Sequence, residues 1–311
     1  MSDTASTLSV GEVHAQLARD GVVVLPSLIQ GQCLKAMQSV FENALQHPSW
    51  NTWTGYEQNE RWRLLVENLL IYDQSFYDLA LQPQINEVIA QYIGADFQLM
   101  EARGWETIAT KRKFHGWHND AWYDPSLETI PRELKVACYL TDVESGQFQY
   151  VKGSHSPAKR PGHWNDKQIE QQYPDVIENA FGPAGTVVLF DPTGIHRQAS
   201  PVLTPRRIVM LNYHDPSVPI QQQDKEWGRY RPLLLNAEFL GDLSSEQQRI
   251  LGFGVKGQLG SWFPKHRRFP AMHRRIQRRL STHVRWLDYR GQVKWFVQAL
   301  RKIPAKIKER F

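Results

Sequence analysis

Along the first third of the chain, apolar residues recur at steps of three and four, the period of an amphipathic helix. This pattern predicts one helix over Leu28–Leu45 and a second over Phe76–Ile93, with weaker helical periodicity over Thr7–Ala18. A short apolar run, Gly21–Leu25, stops at Pro26 and is typical of a strand. The clearest helical stripe consists of Leu34, Met37, Val40, Phe41 and Leu45.

The middle of the chain changes to short runs rich in β-forming residues. We expect strands within Asp96–Phe114, Glu133–Val143 and Gln147–Val151, and a buried strand in Gly185–Asp191. The polar stretch Pro157–Phe181 predicts an inserted loop with a short helix, either a lid over a cavity or a passive surface loop. These patterns alone predict an α+β fold whose middle is mostly β.

The bulk composition describes a globular chain. Its 311 residues, 41% of them hydrophobic, are enough to bury a sizeable core. Cys33 and Cys138 are the only cysteines, which gives no disulfide framework and predicts a reducing, cytoplasmic setting. No apolar run reaches the roughly twenty residues of a membrane span, and the first residues lack the pattern of a secretory signal.

Charge is distributed unevenly. The segment 256–311 holds sixteen Lys or Arg against Asp288 and Glu309, a net of +14, so that the overall +5 leaves −9 for residues 1–255. We therefore divide the chain into a body, 1–255, and a basic amphipathic helical extension, 256–311. Such an extension suits peripheral binding to the anionic inner face of a membrane, or else forms a solvated helical pair docked on the acidic body. No recognised nucleic-acid-binding motif is present, which argues against a nucleic-acid partner.

Candidate metal ligands occur at two distant places. His118 and Asp120, in F-H-G-W-H-N-D, lie two residues apart, so on a strand both side chains leave the same face. His196 follows the predicted strand that ends at Asp191. Each fragment alone is weak evidence, because short motifs recur by chance. Together, two imidazoles and one carboxylate form the facial triad of non-haem Fe(II) oxygenases.

Two arginines give the metal hypothesis its second support. Arg206 and Arg207 open the strand-like run R-R-I-V-M-L-N-Y, ten and eleven residues beyond His196. An arginine inside an apolar barrel is costly unless a carboxylate meets it, and a dicarboxylate cosubstrate would supply one. Strand parity does not choose between the two, because each shares a face with apolar neighbours.

The chain resembles the phytanoyl-CoA dioxygenase family of Fe(II)/2-oxoglutarate-dependent oxygenases. The similar segments span roughly the first two thirds of the chain, and one departure is Lys152, which stands where the family usually has proline. The resemblance implies a double-stranded β-helix of the jelly-roll, cupin-like kind, with helices packed outside. The segments are L-A-R-D-G-V-V-V-L-P at Leu17–Pro26, H-N-D at His118–Asp120, E-S-G-Q-F-Q-Y-V-K-G-S-H at Glu144–His155, G-T-V-V-L-F-D before His196, and the arginine pair.

The resemblance also implies a chemistry. It implies Fe(II) bound by His118, Asp120 and His196, with 2-oxoglutarate and O2 as cosubstrates, ascorbate as a support of activity, and no catalytic side chain beyond the metal ligands. Arg207 is the preferred partner of the far 2-oxoglutarate carboxylate, because the spacing of eleven residues matches the family, and Arg206 is the alternative.

The expected reaction is hydroxylation of an unactivated carbon in a small-molecule, acyl or lipid-linked substrate, with succinate and CO2 as coproducts. Asp120 favours hydroxylation over halogenation, because the related halogenases carry a small residue there. The main alternative is a non-catalytic metal- or ligand-binding protein, or a membrane-surface scaffold that uses the basic extension. A metal-dependent hydrolase would fit the ligands but leave the arginines unexplained.

Overall fold

The computed structural model describes residues 8–46, 62–113, 115–120, 127, 130–157, 162–218, 233–236, 239, 243–252 and 261–263. The predicted basic extension, 256–311, lies outside these residues except for 261–263. Within the described ranges, no helix is both long enough and apolar enough to cross a membrane.

The helices lie mostly in the first third of the chain, as the apolar periodicity predicts. The single helix predicted over Phe76–Ile93 is wrong, because two helices occupy this stretch. Pro83 cannot continue the preceding helix but fits the first turn of a new one, and Gln82 caps that turn by accepting a hydrogen bond from the Ile85 amide. The helices are α1 Val10–Asp20, α2 Gly31–Gln46, α3 Gln74–Ala80, α4 Pro83–Tyr92, α5 Asp166–Gln172 and α6 Ser245–Ile250.

Most strands belong to two antiparallel sheets. The larger sheet has the order β1-β9-β5-β11-β3-β2, the smaller one β7-β4-β10-β6-β8, and β12 pairs with β13 in parallel. The strands are β1 Val22–Leu25, β2 Arg63–Val66, β3 Gln98–Thr107, β4 Trp117–His118, β5 Leu134–Tyr139, β6 Val143–Val151, β7 His163–Trp164, β8 Ile177–Gly182, β9 Val187–Phe190, β10 His196–Gln198, β11 Arg206–His214, β12 Leu234–Asn236 and β13 Ser261–Phe263.

The larger sheet is buried on both faces. On β11, Ile208 and Met210 pack with Phe148 and Tyr150 of the smaller sheet, so the two sheets meet face to face. The alternate residues of β11 pack outward in the cluster that contains α1, α2 and α4. Burial on both sides explains why these strands are continuously apolar in sequence. The α+β prediction with a mostly β middle is confirmed.

The stretch Pro157–Phe181, expected to be an inserted loop, contributes more than a loop. It contains β7, α5 and most of β8, and the strands β7 and β8 form the two edges of the smaller sheet. The short helix predicted there is present as α5, which begins at the N-cap Asn165. The stretch therefore belongs to the sheet that carries the candidate metal ligands.

Candidate metal centre

The predicted metal ligands meet at one place in the structure. His118 on β4 and His196 on β10 stand directly opposite each other in the antiparallel ladder. Asp120 follows β4, and its amide donates to the carbonyl of Pro192, which keeps its side chain on the face of His118. Each Asp120 carboxylate oxygen lies 3.8 Å from one imidazole Nε2, and the three ligand atoms all lie within 4.8 Å of one another.

Backbone carbonyls fix the orientation of both imidazoles. Nδ1 of His118 lies 2.9 Å from the carbonyl oxygen of Gly116, and Nδ1 of His196 lies 2.8 Å from that of Gly194. A carbonyl only accepts a hydrogen bond, so each Nδ1 carries the proton and each Nε2 presents a lone pair. This arrangement, in which the outer nitrogen is held by the protein, is the usual one for histidines that bind metals.

The charges also suit a cation. Burial lowers the pKa of His196 to about 3, and burial likewise lowers the pKa of His118, so both are neutral at neutral pH. Burial alone would raise the pKa of Asp120, but Lys135 and the two imidazoles offset this and hold it below its ordinary value. Two neutral imidazoles and one ionised carboxylate are thus available together.

This donor set fits Fe(II). Neighbouring ligands of an octahedral ion lie roughly 3 Å apart, at metal–ligand distances of about 2.1 Å. One ligand atom from each residue lies within 4.8 Å of the others, so small side-chain movements would bring all three to one ion. All three ligands come from the smaller sheet or the residues next to it, so the side toward the larger sheet is left for exogenous ligands. His115, whose ring centroid is 4.6 Å from that of His118, is not part of this group of three.

Asn119, between the two ligands, connects the segments that carry them. Its side chain is buried, and its Nδ2 donates to the carbonyl of Thr193 at 3.0 Å. Its Oδ1 accepts from the amide of Gly162 at 2.7 Å. Asn119 therefore couples the H-N-D segment to the turn before His196 and to the start of β7, a role that the sequence reading missed.

The two arginines take different positions. Arg207 lies on the outer face of the larger sheet, where its guanidinium pairs with Glu106 at 2.7 Å and with Glu42 of α2. Arg206 points between the sheets and is 3% exposed. Its Nη1 donates to the carbonyl of Gly146 at 2.6 Å, and its guanidinium carbon lies 5.8 Å from the centre of the Tyr139 ring.

Arg206 is the arginine suited to a ligand carboxylate. Burial lowers its pKa, its Nε has no hydrogen-bond partner, and among the described residues no carboxylate forms an ion pair with it. Two polar side chains, those of Thr107 and Gln198, lie on the strands next to it and next to the metal ligand His196. Gln198, two residues beyond His196 and about 7 Å along β10, accepts from Thr107, which is paired with Arg206 across the β3–β11 ladder. The Nε2 of Gln198 is likewise without a partner.

A buried lysine next to the metal ligands was missed by the sequence reading. Lys135, on β5, is 6% exposed, and its ammonium contacts Oδ2 of Asp120. The signal was present in L-K-V-A-C-Y, where one lysine interrupts a strand that is otherwise buried. A charged residue at such a position is expected to have a partner inside the protein.

Comparisons with known proteins agree with this geometry. The sequence matches phytanoyl-CoA dioxygenase (PhyH) over residues 17–208. It is 29% identical over 122 residues to the L-proline trans-4-hydroxylase of Streptomyces griseoviridis, a match that covers 30% of this chain and 46% of that protein. The chain thus spans about half the length of this curated relative.

Two crystal structures show the same fold at low sequence identity. The 2-oxoglutarate-dependent carbocyclase SnoK from nogalamycin biosynthesis has a TM-score of 0.53 and 22% identity, over 74% of this chain and 95% of its own. EctD from S. alaskensis, solved with 2-oxoglutarate and 5-hydroxyectoine, has a TM-score of 0.53 and 20% identity, over 71% of this chain and 81% of its own.

Two facing antiparallel sheets around a two-histidine, one-carboxylate site define the class of non-haem iron, 2-oxoglutarate-dependent oxygenases. The family match covers more than half of the chain. The chain belongs to the phytanoyl-CoA dioxygenase family, as its sequence segments indicated.

Proposed function

We propose that this protein is an Fe(II)- and 2-oxoglutarate-dependent hydroxylase that acts on a carbon of a small molecule. The observation that carries the proposal is the meeting of His118, Asp120 and His196 at one place on the smaller sheet. We further propose that Arg206, rather than Arg207, binds the far carboxylate of 2-oxoglutarate. Its burial and its lack of a described carboxylate partner support this choice.

When bound, iron and 2-oxoglutarate supply the oxidising chemistry, with O2 consumed and succinate and CO2 released as the substrate is hydroxylated. The protein's own residues hold and orient the metal and the cosubstrate. His118 and His196 offer neutral Nε2 atoms fixed by Gly116 and Gly194, and Asp120 offers an anionic oxygen. Arg206 provides a bidentate cation for the far carboxylate, which Lys would not reproduce. The inner apolar residues of the two sheets keep water away from the reacting carbon.

The reaction type is part of the proposal. SnoK, a carbocyclase, shares the fold, so the fold alone does not decide between hydroxylation and other oxidations. The proline hydroxylase relative and the presence of Asp120, which completes the ligand set, support hydroxylation. A non-catalytic binding protein would have no need for three intact ligands together with a buried arginine between the same two sheets.

The test uses the complete protein under anaerobic conditions. Fe(II) and 2-oxoglutarate together should give the visible metal-to-ligand charge-transfer band of a chelated keto acid, and admission of air should release succinate slowly. Asp120→Ala and His196→Ala should both lose the band. Asp96→Ala, which changes an aspartate that is 92% exposed, should keep it. Absence of the band in the wild-type protein contradicts the proposal.

For the basic extension, 256–311, we propose peripheral association with an anionic membrane on the cytoplasmic side, as a segment separate from the body 1–255. The net charge of +14 and the amphipathic pattern support this. Flotation with vesicles containing anionic lipid should recover the full chain but not a chain that ends at residue 271. Recovery of neither at low salt excludes the membrane proposal.

A further inference from the structure

A row of polar side chains crosses the inner face of the larger sheet next to the metal ligands. Asn212 on β11 is paired in register with Lys135 on β5 and with Glu101 on β3. The three residues occupy adjacent strands, so their side chains leave the sheet side by side, on the face of Ile208 and Met210. We call Glu101, Asn212 and Lys135 the polar row.

Asn212 is the unusual member of the polar row. Its side chain is fully buried, yet neither its Oδ1 nor its Nδ2 has a hydrogen-bond partner. Buried amide groups are nearly always paired, because an unsatisfied one loses its hydration without compensation. A donor and an acceptor left open side by side point to a ligand that supplies both partners.

The charges on either side of Asn212 have opposite signs. On one side Oε1 of Glu101 lies 3.3 Å from Nε of Arg103, while its Oε2 is buried without a hydrogen-bond partner. On the other side the ammonium of Lys135 contacts Asp120. A ligand at the row therefore meets an open carboxylate oxygen at one end and a cation at the other. A ligand with a charge of only one sign would be attracted to one end of the row and repelled by the other.

The polar row lies away from the proposed cosubstrate site. Arg206 and Asn212 are six residues apart on β11, about 20 Å along the strand, and both face the inside. Lys135 contacts Asp120, so the row adjoins the metal ligands on the side remote from Arg206. This is where a prime substrate must lie if 2-oxoglutarate extends from the metal toward Arg206.

We propose that the polar row binds the prime substrate, and that this substrate is a small zwitterion with an ammonium and a carboxylate group, of the kind of a free amino acid. Glu101 accepts hydrogen bonds from the ammonium, Lys135 donates to the carboxylate, and the Asn212 amide bonds to the groups between them. The inference rests on the proposed hydroxylase function and names its substrate class.

The test screens the twenty common L-amino acids against the full-length protein loaded with Fe(II) and 2-oxoglutarate. At least one should stimulate succinate release by tenfold or more and should shift the charge-transfer band before air is admitted. For that amino acid, the amine lacking its carboxylate and the acid lacking its amine should both stimulate far less. This comparison requires no variant and so does not depend on folding.

Two variants then locate the binding site. Glu101→Gln should raise the KM for the amino acid at least tenfold while the charge-transfer band is retained, because Glu101 touches no metal ligand. Lys135→Met should weaken amino-acid binding similarly. The matched controls are Glu178→Gln and Lys152→Met, which change a partly exposed ion pair on the smaller sheet and the turn after β6 and should leave the KM unchanged.

The outcomes separate the two proposals. A normal charge-transfer band with no amino acid that stimulates turnover overturns the zwitterion inference and leaves the hydroxylase proposal standing. Equal stimulation by the amine or the acid alone, or an unchanged KM in both polar-row variants, also overturns it. If the wild-type protein forms no charge-transfer band, the hydroxylase proposal itself is overturned, and the zwitterion inference with it.

Discussion

Arg206 and Arg207 are neighbours in the chain, yet their guanidinium groups lie on opposite faces of β11. Arg206 reaches between the two sheets to the carbonyl of Gly146, whereas Arg207 reaches outward to Glu106 and Glu42. The alternation of a strand makes this separation unavoidable. Because neighbouring residues of a strand face opposite sides, only Arg206 is available to a ligand bound between the two sheets.

Replacement of Arg206 should therefore disable 2-oxoglutarate binding, and replacement of Arg207 should not. We expect Arg206→Gln to weaken binding about 100-fold, as the loss of two charge-assisted hydrogen bonds suggests. Arg207→Gln should leave the affinity unchanged and cost less than about 1 kcal/mol of stability, because its ion pairs are partly exposed. Anaerobic titration of the charge-transfer band with 2-oxoglutarate measures both. If Arg207→Gln weakened 2-oxoglutarate binding and Arg206→Gln did not, Arg207 would be the residue that binds the far carboxylate.

Asn119 should matter for both stability and metal binding. Asn119→Ala leaves the Thr193 carbonyl and the Gly162 amide without their present partner, which should cost about 2 to 4 kcal/mol of unfolding free energy. Because those bonds hold the ligand segments together, Fe(II) affinity should fall roughly tenfold or more. Urea denaturation and an Fe(II) titration at saturating 2-oxoglutarate measure the two effects. The control Asn179→Ala, on β8, should change neither by much, and equal effects in both variants would contradict the assigned role.

The group of His118, Asp120 and His196 was predictable although it joins two distant places in the chain, because each place carries a local sequence pattern. His118 and Asp120 are two residues apart, and the strand before His196 is a clear apolar run. The choice between Arg206 and Arg207 was not predictable, because β11 is buried on both faces and each arginine has apolar neighbours on its own side. Only the structure shows that Glu106 and Glu42 meet Arg207 on the outside.

The polar row was harder to predict for another reason. Glu101, Lys135 and Asn212 are far apart in the chain and become neighbours only through the pairing of β3, β11 and β5. Strand register of this kind is a tertiary property, which no short window of sequence contains. The division of the expected helix over Phe76–Ile93 has a local cause instead, because Pro83 starts a new helix there.

Gly146 should be intolerant of a side chain. It sits within β6 with φ of 62°, at a point where the register against β8 shifts, and an added Cβ would lie 2.6 Å from Cγ2 of Val202. We expect Gly146→Ala to cost about 2 kcal/mol from backbone strain and crowding, and to weaken 2-oxoglutarate binding by displacing the carbonyl that Arg206 contacts. Urea denaturation measures the loss of stability, and anaerobic titration of the charge-transfer band measures the affinity for 2-oxoglutarate. Gly11→Ala, where an added Cβ meets nothing within 4 Å, is the matched control and should be neutral or slightly stabilising.

His214 should make the stability of the metal-free protein sensitive to acid. Burial lowers its pKa from 6.5 to about 4, with Asp215 offsetting part of the effect, and its Nε2 has no hydrogen-bond partner. Between these two pH values the unfolded chain binds a proton at this position and the folded chain does not, so stability falls as the pH falls from about 6.5 toward 4. His214→Gln removes this contribution. Between pH 7.5 and 5.0 the wild-type protein should therefore lose about 2 kcal/mol more unfolding free energy than the variant. Urea denaturation at the two pH values measures the difference, with His14→Gln on α1 as the control that should follow the wild type. If His214→Gln loses as much stability in acid as the wild-type protein, His214 is not the group responsible.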